Sequence, residues 1–373
     1  MKYSLISAAD LGPAERRRWS ELQAANGRLG SPCFSWQFTL AAAAARDDVR
    51  VVVLEEHHDI VGFFPFQTRR GAGEPAGGRL SDHHGVIAAS GTSWNWNELL
   101  RGARLSYWQF GDLPASQRPP GVEVVEGASP GLDLSRGFEE WARRRRAAST
   151  LLPKLVRSRR KLEQEVGPLR LELHSRDPAV FETVIRLKRE QCLRTAQLDF
   201  FAWPWTRAMV EHLRDVDDPE CGGRVSALYA GDTLVAAHFG IRSARTWQWW
   251  FPVYSHAHGK YSPGSLLLFD VAQAAAAQGH VLLDLGKGDE PYKLRFADWS
   301  SPLVDGCVSR PTLETAARQM RNAARAWLRT SPLAQPLRPL IQGIRRMGQA
   351  FGAGAVPVWV AWCELDPRVA FMV

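Results

Sequence analysis

A chain of 373 residues with 45% hydrophobic and 23% charged positions has globular composition, and its length fits two domains better than one. Apolar and aromatic residues recur throughout, which excludes a largely disordered chain, and no stretch approaches the roughly 18 apolar residues of a membrane span. The formal net charge of +8 gathers in 143–161 and 318–346 and favours anionic partners: cofactor phosphates, nucleotide-sugars, nucleic acid or acidic lipid.

In chain order, the pattern predicts a short helix over 19–29 and a hairpin of strands 49–54 and 60–67 about a polar turn. A glycine-rich loop follows at 69–79, a strand at 103–110 and irregular chain over 111–127. One basic helix is expected over 138–166, stopped by Gly167-Pro168. A strand (169–174) and two helices (178–194, 206–216) precede a second hairpin, 224–229 and 234–241, turning on Gly231-Asp232. An aromatic strand (246–254), an Ala-rich helix (265–278) and a strand (281–285) complete the run. Beyond Thr312, Arg318, Arg321, Arg325 and Arg329 have helical spacing, and 356–365 reads as a returning strand.

Ile60-Val61 matches Leu234-Val235 at an offset of 174, and Phe110-Gly111 matches Leu285-Gly286 at 175. Two landmarks at almost one offset indicate a duplicated unit. The five cysteines (Cys33, Cys192, Cys221, Cys307, Cys363) are scattered, odd in number and without CxxC spacing. They read as reduced thiols, and with no secretory pattern in 1–13 the expected location is cytoplasmic. His57-His58, His83-His84 and His256-x-His258 lack a third ligand at metal-site spacing, so no metal is expected.

The loop His256-Ala257-His258-Gly259-Lys260-Tyr261-Ser262-Pro263-Gly264-Ser265 stands between a strand and a helix. Its glycines allow close backbone approach, and the helix start offers N–H groups and a positive dipole end to a pyrophosphate. With the following Leu283-Asp284-Leu285-Gly286-Lys287-Gly288-Asp289-Glu290-Pro291-Tyr292-Lys293, and with 80–87 and 157–167, the chain resembles the CelD family of GNAT acyltransferases, related to FemAB. The resemblance implies an α/β (α+β) fold of tandem duplicated GNAT-like domains, mixed sheets flanked by helices. Its expected parts are a first domain (1–137) without a cofactor loop, a basic helical connector (138–167), a catalytic domain (168–310) and a basic tail (311–373). It also implies an acyl-CoA co-substrate, held by Lys260, Tyr261, Ser262, Pro263, Gly264 and Ser265, with Trp250 and Phe251 nearest the thioester and a backbone N–H of a bulged strand on its carbonyl.

Direct acyl transfer needs a base, a carbonyl donor and an acid for the leaving thiolate. The base candidates are His238, which is otherwise a core histidine, and Asp289 with Glu290, otherwise a solvated turn. Tyr254 and Tyr292 are candidate acids. Asp82 and His83 contact an amino sugar or cap a turn; Trp249 is a candidate sugar platform; Lys293 and Arg295 compete for an acceptor phosphate. The leading expectation is N-acylation of an amino sugar on a nucleotide-sugar or lipid-linked precursor of a polysaccharide. The alternatives are aminoacyl transfer from tRNA, and a non-catalytic binding protein of the same fold. The tail arginines are candidates for an anionic membrane or an anionic nucleotide regulator.

Overall fold

The computed structural model describes residues 1–69 and 72–311, so the tail arginines and the returning strand lie outside the described residues. The chain divides into two units, Met1–Cys192 with Asp199–Arg310, and Leu193–Leu198 with Pro311–Val373; everything below concerns the first. Its strands are β1 (Lys2–Ser7), β2 (Val49–Glu56), β3 (Asp59–Arg69), β4 (Ala72–Pro75), β5 (Ile87–Ala88), β6 (Tyr107–Pro114) and β7 (Val124–Asp133), then β8 (Leu169–Glu172), β9 (Gly222–Ala230), β10 (Thr233–Arg242), β11 (Thr246–Tyr254), β12 (Leu282–Asp284) and β13 (Trp299–Ser309). The helices are α1 (Pro13–Ala24), α2 (Trp36–Ala45), α3 (Trp96–Gly102), α4 (Phe138–Ala148), α5 (Leu151–Glu165), α6 (Pro178–Arg194), α7 (Pro204–Asp215), α8 (Pro263–Ala277) and α9 (Pro291–Phe296).

All strands join one mixed sheet in the order β1-β2-β3-β4-β6-β13-β7-β12-β11-β10-β9-β8, with β5 paired to β3. Read inward from both edges, the two halves repeat. In β3, Val61 is bulged out of the ladder with β2; in β10 the bulged residue is Val235, at the offset of 174. β4 and β6 pair in parallel as Ala72↔Tyr107 and Gly73↔Trp108, and β11 and β12 as Thr246↔Leu282 and Trp247↔Leu283. These registers repeat the offsets of 174 and 175, and parallel pairs are the rarer kind. The duplicated mixed α/β architecture expected from the sequence is therefore present.

The last strands are exchanged. β13, from the second half, pairs with β6 of the first, while β7, from the first half, pairs with β12 of the second. β7 and β13 also pair with each other along Trp299↔Gly131 to Gly306↔Val124. Alternation along the strands covers both faces: Val51 and Val53 join one core with Val225 and Ala227, and Val52 and Leu54 another with α3. Leu228 and Ala230 join a third core with α4, α5 and α8.

Two sequence expectations need correction. The helix expected over 138–166 is two helices, because the ring of Pro153 would meet the carbonyl of Ser149 in a continuous helix. The stretch 111–127 is not irregular throughout: β6 runs on to Pro114 and β7 begins at Val124. Since neither half owns its closing strand, amides of β3 and β10 should show one common opening free energy in native-state hydrogen exchange. Separate values for the two strands would mean the halves open independently.

Candidate active site

β11 and β12 stay paired only as far as Gln248↔Asp284. Beyond it β11 continues against β10, while the Leu285 N–H turns to the Pro130 carbonyl at 2.9 Å and Gly286 takes φ +72°. The strands part there and leave a wedge with Gln248 and Asp284 at its floor.

The floor is completed from the first half. Gln117 clamps residues 81–86 of that half, accepting from the Val86 N–H at 2.8 Å and donating to its carbonyl at 2.8 Å. A Cβ at Gly85 (φ +148°) would lie 2.3 Å from Gln117 Oε1, so the clamp requires glycine. The segment places Asp82 Oδ2 3.0 Å from Gln248 Nε2, which donates to it, and His83 Nε2 3.5 Å from Asp284 Oδ2. Asp284 Oδ1 accepts from Ser129 Oγ at 2.5 Å and from the Gly286 N–H at 2.8 Å. A Cβ at Gly286 would stand 3.2 Å from Asp82 Oδ2; glycine leaves that carboxyl approachable.

Burial, reinforced by the charges of Asp112 and Asp284, pushes Asp82 up to about 7 against the pull of Lys293 and Gln248. Lys287 engages Asp112 at 3.3 Å and also Asp305. Lys188 of α6 lies within electrostatic reach of Asp82, Lys293 and Glu290, and burial pulls its ammonium down. His84 is buried with neither ring nitrogen hydrogen-bonded, edge-on to Trp108, and burial pulls it down to about 3.

The aromatic strand is bulged where a carbonyl donor was expected. Phe239 faces Phe251 but Ile241 faces Gln248, so Trp249 and Trp250 together oppose Gly240. The Trp250 N–H is already used, donating at 3.2 Å to Nε2 of His238. That bond requires a neutral His238 with its proton on Nδ1, and burial holds its pKa well below the usual value. The imidazole stacks on Trp249 at 3.8 Å, and a Cβ at Gly240 would come within 2.4 Å of it. His238 is fully buried, and as a hydrogen-bond acceptor it positions the bulge.

The loop between β11 and α8 is built largely from backbone. Ser262 (φ +53°) precedes Pro263 at the first turn of α8, and the Ser265 and Leu266 N–H groups turn to the Ser262 carbonyl. The Gly264 N–H, ahead of them, makes no hydrogen bond among the described residues. Cβ atoms at Gly264 and Gly259 would lie 3.5 and 3.7 Å from the Tyr254 ring, which is 40% exposed, so the ring packs over both glycines. These groups fit a pyrophosphate. Side-chain expectations for the loop need correction: Lys260 pairs with Glu165 at 2.8 Å, and buried Tyr261 donates to the same carboxylate at 2.5 Å.

The structure thus gathers Asp82, His83, Glu290 and Lys293 around Gly286, and Tyr254, Ser262, Gly264 and Ser265 around the loop. Trp250 and Phe251 are packed in the first core, and Trp249 is 2% exposed, so it is no outward sugar platform. Lys293 is buried, donating to the carbonyls of Gly286 and Lys287 at 3.2 and 2.8 Å and pairing with Glu290 at 3.0 Å; it ties down the loop. Asp289 and Arg295 are exposed, and Arg295 donates to its own helix at Pro291. Burial and the Glu290 charge push the Tyr292 phenol up, which keeps it protonated. Sequence reasoning missed Gln248, Gln117, Ser129 and Lys188; of these only Gln248, a polar residue inside a strand of aromatics, carried a signal.

Residues 144–294, less than half of the chain, match the model of the acetyltransferase (GNAT) domain. No curated protein matches. Among solved structures the chain is similar to FemX, at 9% identity over 86% of this chain and 99% of that one, with a TM-score of 0.54. It is also similar to the C-terminal domain of a putative lysylphosphatidylglycerol synthetase from Agrobacterium fabrum, at 13% identity over 83% and 96%, with a TM-score of 0.52. The fold is GNAT-like and the chain is an acyltransferase.

The geometry separates a positioning histidine from a base. His238→Phe keeps the stacking surface but strands the Trp250 N–H, and should cost about 1–3 kcal/mol in denaturant unfolding. Turnover should fall while the pH profile keeps its limb. A variant of unchanged stability with a lost limb would restore His238 as the base.

Proposed function

We propose that the chain transfers an acyl group from acyl-CoA directly to the amine of an amino sugar on a polysaccharide precursor, with Asp82 as general base. The observation that carries this reading is the Asp82 carboxyl, delivered from the first half to the floor of the second half's wedge and held near neutral. A base poised near 7 can take the proton of an acceptor ammonium and still be ionised at working pH. Acyl-CoA supplies the activated carbonyl and the thiolate leaving group. The Gly264 N–H and the α8 start would hold its pyrophosphate, and the Trp249–Trp250 bulge faces its acyl end. As the amine nitrogen bonds to the carbonyl carbon and the C–S bond breaks, Tyr292 is the candidate proton source for sulfur, with Tyr254 nearer the loop.

The saccharide acceptor rests on the resemblance of 261–268 and 283–293 to the CelD family; the exposed Asp289 and Glu290 at the wedge rim suit an amine-bearing acceptor. A cytoplasmic site of action agrees with that donor, and no described helix is long and apolar enough to cross a membrane. A thermal-shift comparison of CoA, acetyl-CoA, longer acyl-CoAs and aminoacyl-tRNA tests the donor class. A ligand at a hundred times its dissociation constant should stabilise the chain by about 2.7 kcal/mol. Stabilisation by aminoacyl-tRNA alone would favour the tRNA-dependent alternative.

Gly264→Glu should weaken CoA binding at least tenfold with the melting temperature unchanged, since a Cβ there meets only ordinary contact. Equal affinity would place the cofactor elsewhere. For the base, kcat/KM should rise with pH through about 7, and Asp82→Asn should flatten that limb and lower turnover roughly a hundredfold or more. Because the folded-state pKa of Asp82 is raised, its ionised form is a stability cost above pH 7 that vanishes below about 4, where both states are protonated. Asp82→Asn should therefore raise stability at pH 8, by up to about 4 kcal/mol, and leave it unchanged at pH 4. A fully active variant, or one destabilised at pH 8, would remove Asp82 from this role.

A further inference from the structure

The basic run at 143–146 is mostly committed to the fold. Arg143 pairs with Glu140 at 2.7 Å, Arg144 with Asp298 at 2.8 Å, and Arg145 donates to the carbonyls of Arg295 and Ala297 at 2.7 and 3.1 Å. On α5, Arg159 is held by Asp270, and Lys161 lies 3.7 Å from Glu165. Among the described residues, Arg146, Lys154, Arg157 and Arg160 have no acidic partner, and all four are exposed. At helical spacing Pro153, Val156, Arg157 and Arg160 share one face of α5, and Val156 is 63% exposed. Beside that face a cavity of about 350 Å3 is lined mainly by apolar atoms of Leu152, Leu155, Leu266 and Phe269, with Arg146 and Arg159 among its walls.

Cations alone would suit any polyanion. An apolar slot with unpaired cations around it is complementary to an amphiphile: a hydrocarbon chain for the slot and phosphate for the cations. A nucleic acid would leave the slot unused, as would free phosphate. We propose that the α4–α5–α8 groove docks an anionic membrane phospholipid, with one acyl chain between α5 and α8 and its headgroup phosphate among Arg146, Arg157 and Arg160. None of the slot's residues belongs to the wedge floor, and the docking does not depend on the reaction proposed there.

The test uses the full chain with vesicles of phosphatidylglycerol or of phosphatidylcholine. Co-sedimentation should occur with the anionic vesicles, weaken with salt, and be marginal with the neutral ones. Arg146→Gln/Arg157→Gln/Arg160→Gln should weaken it by roughly a hundredfold, at about fivefold per cation. Val156 lines the slot and is 63% exposed, so a Val156→Trp probe sits where the acyl chain would enter, and its added fluorescence should be quenched by phosphatidylglycerol brominated in its chains. Glycerol phosphate at equal phosphate concentration should fail to displace the vesicles. The proposal is overturned if the full chain ignores anionic vesicles at low salt, or if the triple variant binds them like the parent. It is overturned equally if bound Val156→Trp is not quenched, since contact is then electrostatic only. Displacement by tRNA at equal phosphate would make the face a nucleic-acid surface instead.

Discussion

The ladder between β7 and β13 joins two half-sheets, each closed by a strand that the other half supplies. Because β7 also hydrogen-bonds to β12, the turn after β12 is anchored on a strand of the first half: Leu285 bonds to Pro130, and Ser129 holds the Asp284 carboxylate. That anchoring makes β12 leave β11 after Asp284 rather than continue beside it. Without the exchange there would be no fixed floor for Asp82 to complete.

Duplication produced two wedges of one design, and packing then assigned them different uses. In the first half the position matching Trp247 is Gly73, where a Cβ would lie 2.5 Å from Leu105, and Phe64, Phe66, Trp96, Trp108 and Phe110 fill the surrounding core. In the second half the floor is polar and a full helix, α8, follows β11. The connection that makes the glycine-bearing loop and α8 in the second half takes another course in the first. Between β4 and β6 it instead carries Asp82, His83 and Gly85 to the other wedge, fixed by Gln117.

Much of this architecture was legible in local sequence. The second hairpin and β11 followed from β-branched and aromatic runs about Gly231-Asp232, and the offsets of 174 and 175 anticipated the repeated registers. β7 and β13 were not legible, since Gly127, Pro130 and Gly131, and Pro302 and Gly306, argue against strands locally and only distant partners make them strands. In the site, the Asp82-His83-His84 motif was visible, but its pairing with Gln248 was not. Gln248 lies 166 positions away and gains its meaning from where two strands part. His238 drew attention as a polar residue in an apolar strand; its partner proved to be the backbone bulge, which sequence does not display.

The exchanged strands also constrain how the chain can be made. Ser309 pairs with Tyr107, so as the polypeptide leaves the ribosome β6 keeps an open edge until almost the last described residue has emerged. Aromatic residues of β6, Trp108 and Phe110 among them, are wholly or almost wholly buried in the finished sheet and lie beside that edge meanwhile. Synthesis therefore passes through a long interval in which the first half is complete in sequence but not in structure. Such a chain depends on shielding of the nascent edge, and slow translation of the second half lengthens its exposure to aggregation.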